Sequence, residues 1–291
     1  MLRLVLPKGS LERSTMQLFE DADLTVVRGS DVEYRGSVDD PRITEVMVLR
    51  PQEIPRYVAE GLFDLGITGR DWIEETGAEV VSLTQLHYSK ATARPIRMVL
   101  AVAGDAPYES VAGLPRGARV HTEYPVITQR FLTQHGVEAE VSLSYGATEA
   151  KIPEIADAVV EITETGRALR AAGLKVLDTI LVSHTELIAN PTSYADVAKR
   201  RAMEQLQTLL TGALEARGRV LMKLNVDEAN LQAVIDLLPA LKSPTVSKLY
   251  GEDAYAVETV VAKTGINTLI PALKEQGATG ILELPISKIV P

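Results

Sequence analysis

Cysteine is absent from this sequence of 291 residues. The chain therefore forms no disulfides and no metal sites with thiolate ligands. Aromatic residues are also scarce, at 4% of the chain, whereas 46% of the residues are hydrophobic and 24% are charged. These proportions predict a mostly aliphatic core, which favours an α/β protein, and the length suffices for one large domain or two to three small ones.

Long apolar runs are missing as well. No run approaches the ~18 residues that a membrane-spanning helix requires. The N-terminal segment MLRLVLPKGSLE also lacks the apolar centre of a signal peptide. We therefore expect a soluble, cytoplasmic protein without a membrane partner.

Positive charge is in deficit. The chain has 30 Lys and Arg residues against 39 Asp and Glu residues, a formal net charge of −9. Such a balance argues against general nucleic-acid binding. An anionic substrate would have to be held by local cations or by clustered backbone N–H groups, because the overall field is repulsive.

The most informative pattern lies in residues 145–173, which read YGATEAKIPEIADAVVEITETGRALRAAG. Residues 156–162 are apolar with a β-branched centre, which predicts a buried strand. Residues 163–166 carry two hydroxyls and a glycine, and residues 167–172 are strong helix formers that end at Gly173. The pattern predicts a strand, a turn and a short helix.

A turn of this kind can bind a phosphate. Free backbone N–H groups and the positive end of the helix dipole point to one place. Thr163 and Thr165 add hydroxyl donors, and Gly166 lets the backbone approach closely. An ordinary strand-to-helix turn with a threonine cap explains the same residues, and the shape of the segment alone leaves both interpretations open.

The segment D-A-V-V-E-I-T-E-T-G-R-A-L closely resembles the phosphoribosyl-pyrophosphate (PRPP) loop of ATP phosphoribosyltransferase, the first enzyme of histidine biosynthesis. That family shows an acid, a short apolar run, a second acid and then Ser/Thr-Gly-x-Thr-Leu. Asp157 and Glu161 match the two acids, Thr165 and Gly166 match the Ser/Thr-Gly pair, and Leu169 matches the final leucine.

Three residues of the loop depart from the family pattern. Glu161 stands where Asp is commoner, Glu164 adds a negative charge beside the expected phosphate, and Ala168 replaces the second threonine. The resemblance nevertheless covers the whole chain.

Other matching segments precede the loop. Lys8 and Gly9 follow an N-terminal strand, as in the family, and Ser10 is predicted to cap the next helix. The motif D-x-G-I-T-G-x-D at residues 64–71 and the segment V-L-R-P match too, with Pro51 predicted to open a helix. The resemblance places these residues in a cleft: Arg50, Gly69, Arg70, Asp71 and, after a later strand, Tyr124. A surface lysine, a surface ion pair, plain turns and ordinary packing remain the alternatives.

The order of elements predicts the architecture. Strands alternate with helices to about residue 217, which predicts mostly parallel sheets in two lobes, like type II periplasmic binding proteins, with the ligand between them at strand carboxyl ends. We predict lobe I from residues 1–95 with 183–217 and lobe II from residues 96–182. The tail, residues 218–291, reads β-α-β-β-α-β and predicts a ferredoxin-like domain.

The long form of the family carries such a tail domain, where histidine binds as feedback inhibitor. The segment K-S-P-T at 242–245 and Asn225 match its pattern, so the resemblance assigns Asn225, Ser243 and Thr245 to the allosteric site. The alternative is that Ser243 and Pro244 merely start a strand. The resemblance also implies a homo-oligomer, dimer or hexamer.

The reaction implied by the resemblance is attack of N1 of ATP on C1 of PRPP with release of pyrophosphate, supported by Mg²⁺. Asp157 and Glu161 are assigned to the ribose hydroxyls or to magnesium-bound water, and Lys8, Arg50 and, as a third candidate, Arg70 to pyrophosphate or ATP phosphates. The 5′-phosphate is assigned to the loop residues Thr163, Glu164, Thr165, Gly166, Arg167 and Ala168.

The sequence also fits one other function and excludes a second. A non-catalytic, cleft-type metabolite sensor would have the same lobes and one ligand without transfer. A Rossmann dehydrogenase is excluded because the sequence contains no G-x-G-x-x-G.

Overall fold

The computed structural model describes residues 1–30, 32–88, 95–239 and 243–290. The chain forms two compact units, Met1–Gln207 and Thr208–Pro291. Within the described ranges, no helix is both long and apolar enough to cross a membrane.

The described residues form sixteen strands. Their observed bounds in the described residues, in chain order, are β1 (Leu2–Pro7), β2 (Val26–Val27), β3 (Arg35–Val38), β4 (Ile43–Leu49), β5 (Leu65–Gly69), β6 (Val81–Leu86), β7 (Ile96–Ala103), β8 (Ala118–Thr122), β9 (Ala139–Leu143), β10 (Ala158–Thr163), β11 (Leu174–Ser183), β12 (Thr185–Ala189), β13 (Arg219–Asp227), β14 (Thr245–Lys248), β15 (Ala254–Ala262) and β16 (Thr279–Pro285).

The helices follow the same order. Their bounds are α1 (Glu12–Asp21), α2 (Ile54–Ala59), α3 (Arg70–Thr76), α4 (Pro125–Gln134), α5 (Arg167–Ala171), α6 (Pro191–Ala195), α7 (Val197–Ala216), α8 (Leu231–Leu237) and α9 (Ile266–Glu275). The boundary between the two compact units falls within α7.

The first unit contains two sheets. In the described residues, one sheet has the order β2-β3-β4-β1-β5-β12-β6, and with α1, α2 and α3 we refer to it as lobe I. The other has the order β11-β7-β10-β8-β9, and with α4 and α5 we refer to it as lobe II. Aliphatic side chains of the central strands are fully buried in both lobes, as the composition predicts.

The prediction of mostly parallel sheets is wrong. The centre of lobe I, β4-β1-β5, is parallel, but β12, β6, β3 and β2 join antiparallel. In lobe II, β8-β9 and β8-β10 are parallel, whereas β7 pairs antiparallel with β10 and β11. The alternation of strands and helices along the sequence indicates where strands lie. It does not give the direction of each strand in its sheet, which depends on the path of the connection between strands.

Helix ends also differ from the sequence expectation. The residue before α1 is Leu11 rather than Ser10, and its side chain caps nothing. Pro51 lies in a turn, and the proline in the first turn of α2 is Pro55. Helix α6 ends at Asp196, whose extended backbone separates α6 from α7 and whose carboxylate accepts the N–H of Lys199.

The second unit has one sheet in the described residues, with the order β14-β15-β13-β16 and antiparallel pairing throughout. Together with α8 and α9 this is the ferredoxin-like order. Its core is aliphatic, with Met222, Leu224, Val261 and Leu273 at 2% exposure or less. The segment K-S-P-T at the start of β14 is only partly described, because Lys242 lies outside the described residues.

Candidate active site

The loop after β10 forms the strand, turn and short helix that the sequence predicts. Gly166 has φ +70°, in the left-handed region. Its N–H donates to Thr163 Oγ1 at 2.7 Å, and the N–H of Arg167 donates to Thr165 Oγ1 at 3.4 Å. The N–H groups of the first turn of a helix lack intrahelical acceptors, so the start of α5 offers backbone donors beside the exposed Ala168.

Arg170 stabilises this loop through a hydrogen bond, a role that the sequence did not predict. Its Nη2 donates to the carbonyl of Thr165 at 2.9 Å. A Cβ atom placed on Gly166 would come within 2.8 Å of Arg170 Nη1. Any side chain at 166 would therefore displace the guanidinium as well as strain the backbone.

Glu161 lies near the carboxyl end of β10, half-buried. Burial raises the pKa of its carboxyl, the hydroxyl of Thr148 acts in the opposite direction, and the nearby charges of Glu149 and Glu123 raise it further. Glu123 follows β8 and Glu161 lies near the end of β10, and because these two strands are parallel, both carboxylates lie at the same edge of the sheet.

The structure does not bring Asp157 to this loop. The residue precedes β10 at its amino end, roughly 20 Å from Thr163 at ~3.3 Å per residue. There its carboxylate accepts Arg119 Nη2 at 2.8 Å, Arg119 Nε at 3.1 Å and the Arg119 backbone N–H at 2.8 Å. The Arg119 side chain lowers the pKa of Asp157. Asp157 therefore joins β10 to β8 at the far end of the sheet, which removes the geometric basis for its predicted catalytic role.

Asp71 is buried at the start of α3, with 2% of its surface exposed. Its carboxylate accepts Ser183 Oγ at 2.7 Å and the hydroxyl of Tyr124 at 2.8 Å. Burial raises the pKa of Asp71 although these donors act against it, and burial together with Asp71 raises the pKa of Tyr124 well above 10.0. The predicted residues Asp71 and Tyr124 thus hydrogen-bond to each other across the two lobes. The Asp71 carboxylate and the Tyr124 hydroxyl both have partners within the protein.

Gly69 is required by the same carboxylate. Its φ of −87° is open to any residue. A Cβ atom at this position would, however, overlap Asp71 Oδ1. The glycine of the T-G-x-D motif therefore makes room for the aspartate rather than supplying an unusual backbone conformation.

A cavity of about 340 Å³ lies between the lobes. The rings of Trp72 and Tyr124 stack beside it with centroids 4.4 Å apart and planes tilted by 33°. The cavity wall joins predicted residues from both lobes, namely Gly69, Asp71, Tyr124, Thr163 and Glu164. The surrounding surface is largely aromatic and aliphatic, which suits a planar, apolar-faced ligand such as a nucleobase.

Two of the predicted cations lie together at the carboxyl edge of lobe I. Pro7 pairs with Leu49, so Lys8 and Arg50 leave neighbouring parallel strands side by side. A Cβ atom on Gly9 would lie 3.7 Å from Arg50 Nη1. Lys8 Nζ is 4.0 Å from Glu12 and 4.9 Å from the ring centroid of Tyr34.

Arg70 differs from these two cations. Its Nη2 is 2.5 Å from Glu74 Oε1, and its Nη1 is 3.9 Å from Glu186. Glu74 also pairs with Arg130 Nη2 at 3.0 Å. Arg70 therefore pairs with carboxylates where the two lobes meet, whereas Lys8 and Arg50 lie at the carboxyl edge of lobe I, where Lys8 is within ion-pair distance of Glu12.

The predicted allosteric residues are exposed in the second unit. Asn225 pairs with Ala256, and Thr245 pairs with Glu258, which is two residues along β15. Residues two apart on a strand face the same way, so Asn225 and Thr245 share one face of the sheet. Ser243 lies just before β14.

Sequence reasoning missed the partners of several of these residues. Ser183, Trp72 and Glu75 sit next to predicted motifs, but their contacts join segments that lie more than 50 positions apart. The strands β2, β3 and β6 were not predicted individually either, because β2 and β3 are short and β6 is only partly buried.

Comparison with known proteins gives the family. A family model described as ATP phosphoribosyltransferase matches residues 50–212, and a model of that family's C-terminal domain matches residues 216–288. The ATP phosphoribosyltransferase of Pelotomaculum thermopropionicum is 49% identical over 292 residues, which cover 100% of this chain and 99% of the relative. That of Desulforudis audaxviator is 48% identical over 292 residues, with the same coverage.

A solved structure supports the same family assignment. A chain of the ATP phosphoribosyl transferase complex from Thermotoga maritima superposes with a TM-score of 0.61 and 28% identity, covering 72% of this chain and 99% of that one. Fold and site define an α/β, two-lobed ligand-binding core with a C-terminal ferredoxin-like domain, which confirms the predicted fold class. The chain belongs to the ATP phosphoribosyltransferase family and is a transferase of the pentosyl class.

Proposed function

We propose that the cleft between lobes I and II carries out the reaction of this family, the first step of histidine biosynthesis. In that reaction N1 of ATP attacks C1 of PRPP, the C1–oxygen bond breaks, and pyrophosphate leaves. N1 already carries a lone pair, so the site needs no strong general base. The demand on the protein is to align two anionic substrates and to stabilise the leaving group.

PRPP is proposed to bind through its 5′-phosphate at the loop of residues 163–168. The proposed donors are the hydroxyls of Thr163 and Thr165, which accept the N–H groups of Gly166 and Arg167 in the turn, and the first N–H groups of α5. Glu161, two positions before Thr163 on β10, is proposed to bind the ribose hydroxyls.

Pyrophosphate and the ATP phosphates are proposed to bind at Lys8 and Arg50 on lobe I. Their neighbouring positions at the carboxyl edge give two cations for the charge that develops on the leaving group. The stacked rings of Trp72 and Tyr124 beside the cavity suit the adenine ring.

Mg²⁺ fits this donor set as a substrate-borne ion. Among the residues that the structure describes, no three His, Cys, Asp or Glu side chains are grouped to hold a metal. Mg²⁺ commonly binds through one or two carboxylates together with substrate phosphates. Glu161 would reach it through water, and the ion would neutralise the leaving pyrophosphate.

The remaining parts of the proposal concern the whole chain. Lobe I is assigned to residues 1–95 with 183–217, lobe II to 96–182 and the regulatory domain to 218–291. Histidine is proposed to inhibit from the face that carries Asn225 and Thr245. A cytoplasmic homo-oligomer, dimer or hexamer, fits a biosynthetic enzyme whose Thermotoga maritima relative is titled a complex.

One observation carries the site assignment: five residues chosen from the sequence, in three separate segments, line one interlobe cavity. The test is formation of phosphoribosyl-ATP, followed by absorbance, in Arg50→Gln and in Arg35→Gln. Arg35 is an exposed arginine on β3 paired with Glu45, and it serves as control. We expect kcat/KM to fall at least about tenfold in Arg50→Gln only, because a bond to a charged group contributes roughly 1.5–3 kcal/mol. Equal rates in both variants would remove Arg50 from the site.

A further inference from the structure

The N-terminus of α4 in lobe II is capped by a side chain from lobe I. The N–H groups of Val126 and Ile127 each donate to a carboxylate oxygen of Glu75 on α3, both at 2.9 Å. The local N-cap residue, Tyr124, offers no side-chain acceptor to the helix, and Pro125 has no N–H. The first turn of α4 therefore depends on Glu75 for its acceptors.

Other contacts tie the same two helices together. Glu74, next to Glu75, pairs with Arg130 of α4 at 3.0 Å. Asp71 accepts the hydroxyl of Tyr124, and the Trp72 ring stacks on the Tyr124 ring. Sliding or opening of the lobes at α3 would break all these contacts together and leave the α4 N–H groups without protein acceptors.

We propose that Glu75 is a positioning residue for the transferase reaction: by capping α4 from α3 it fixes the separation of the two lobes. The cavity lies directly beside this junction, because Asp71, Trp72 and Tyr124 form part of its wall. Attack of one substrate on the other requires both lobes in register. The proposal rests on the assignment of PRPP to lobe II and of the cationic loops to lobe I.

The substitution Glu75→Ala tests the kinetic consequence. We expect kcat to fall by about 10- to 100-fold, because a misplacement of 1 Å can reduce rates about 100-fold. Calorimetric affinity for ribose 5-phosphate, which carries the 5′-phosphate but no pyrophosphate and therefore needs lobe II only, is expected to stay within about twofold. Glu75→Gln keeps one carbonyl acceptor at the same position and should recover part of kcat. Should Glu75→Ala fail to fold, Glu75→Gln alone must show an intermediate kcat with unchanged affinity for ribose 5-phosphate.

The control is Glu79→Ala. Glu79 follows α3, is exposed, and makes no hydrogen bond or ion pair with the described residues. The change removes the same atoms and the same charge, so its kcat should equal that of the starting protein.

A second measurement needs no substrate. Because the chain has no cysteine, spin labels can be placed at Glu20→Cys on α1 and Glu140→Cys on β9, both exposed. The distance distribution between them should broaden or shift in Glu75→Ala and remain unchanged in Glu79→Ala. Equal kcat and equal distances in the two variants would overturn the proposal. An error in the PRPP assignment would appear instead as unaltered PRPP binding in a loop variant, with the label distances still responding to Glu75.

Discussion

At the scale of single residues, two glycines serve the site for different physical reasons. Gly166 holds a left-handed backbone conformation with φ +70°, whereas Gly69 has an ordinary φ and leaves space for the Asp71 carboxylate. A side chain at the first position strains the backbone. A side chain at the second would collide with a buried charged group. Glycine is therefore required at these two positions for two different reasons: backbone conformation at residue 166 and space for a neighbouring side chain at residue 69.

Gly166→Val is expected to raise the KM for PRPP strongly. A β-branched residue disfavours the left-handed region, and its Cβ would displace Arg170 from the loop. The control is Gly173→Val, at φ +71° after the same helix but with no atom within 4 Å of the added Cβ. Steady-state kinetics with varied PRPP measures the difference, and equal KM values would show that the loop does not bind the phosphate.

Ala168→Thr is expected to tighten PRPP binding modestly. The family's usual threonine offers a hydroxyl to the 5′-phosphate, and a bond to a charged group contributes roughly 1.5–3 kcal/mol, part of which ordered water can already supply. Ala171→Thr, exposed on the same helix, controls for helix propensity. The measurement is calorimetric titration of PRPP, with magnesium present, into the starting protein and each variant. Affinity that is equal or weaker in Ala168→Thr would mean that position 168 faces away from the phosphate.

At the scale of elements, one buried carboxylate joins segments that are far apart in the chain. Asp64, 1% exposed, accepts the Arg3 N–H at 2.7 Å, Ser193 Oγ at 2.6 Å and Lys199 Nζ at 2.7 Å. It thereby fixes α6 and the start of α7 against β1 and β5. Burial raises the pKa of Asp64, but these donors outweigh it, and the net pKa lies below the ordinary value.

Asp64→Asn is expected to reduce the free energy of unfolding by about 2 kcal/mol at pH 7, because Lys199 and Ser193 lose an ionised acceptor. Since the folded-state pKa is lowered, this contribution is complete above the unfolded pKa of about 3.9 and is lost as the pH falls through the folded value. The stability difference from Asp64→Asn should therefore shrink below about pH 4. Urea unfolding at several pH values measures it, with the exposed Asp39→Asn as control. A difference independent of pH would contradict the ionised role.

At the scale of the whole molecule, the chain separates into a unit with the cleft and a unit with the ferredoxin-like sheet. All residues assigned to catalysis and substrate binding lie in the first unit, and the predicted allosteric residues Asn225, Ser243 and Thr245 lie in the second. Inhibition by histidine would therefore act between units rather than by competition within the cleft.

Truncation after Arg217 is expected to abolish inhibition by histidine while phosphoribosyl-ATP formation persists, at a lower rate where oligomerisation is lost. The measurement is the initial rate with and without histidine for the full and the truncated chain. Inhibition of the soluble truncated protein to the same extent as the full chain would place the inhibitor site in the first unit.

The sequence by itself determined the local elements and the family to which the chain belongs. Strand, turn and helix at residues 156–172, the tail order and the glycine positions follow from side-chain spacing within a few residues, which short-range sterics and burial control. The family resemblance added the reaction and the fold class. These predictions needed no knowledge of which distant segments meet.

Only the tertiary structure decided how the site is assembled. Asp157 matches a motif acid but lies at the amino end of β10 against Arg119, and Arg70 matches a cleft residue but binds carboxylates at the lobe junction. The bonds of Asp71 to Tyr124 and to Ser183, and of Glu75 to α4, join residues 51–112 positions apart. Strand direction and lobe contact set such pairings, and both arise from the path of the whole chain rather than from local sequence.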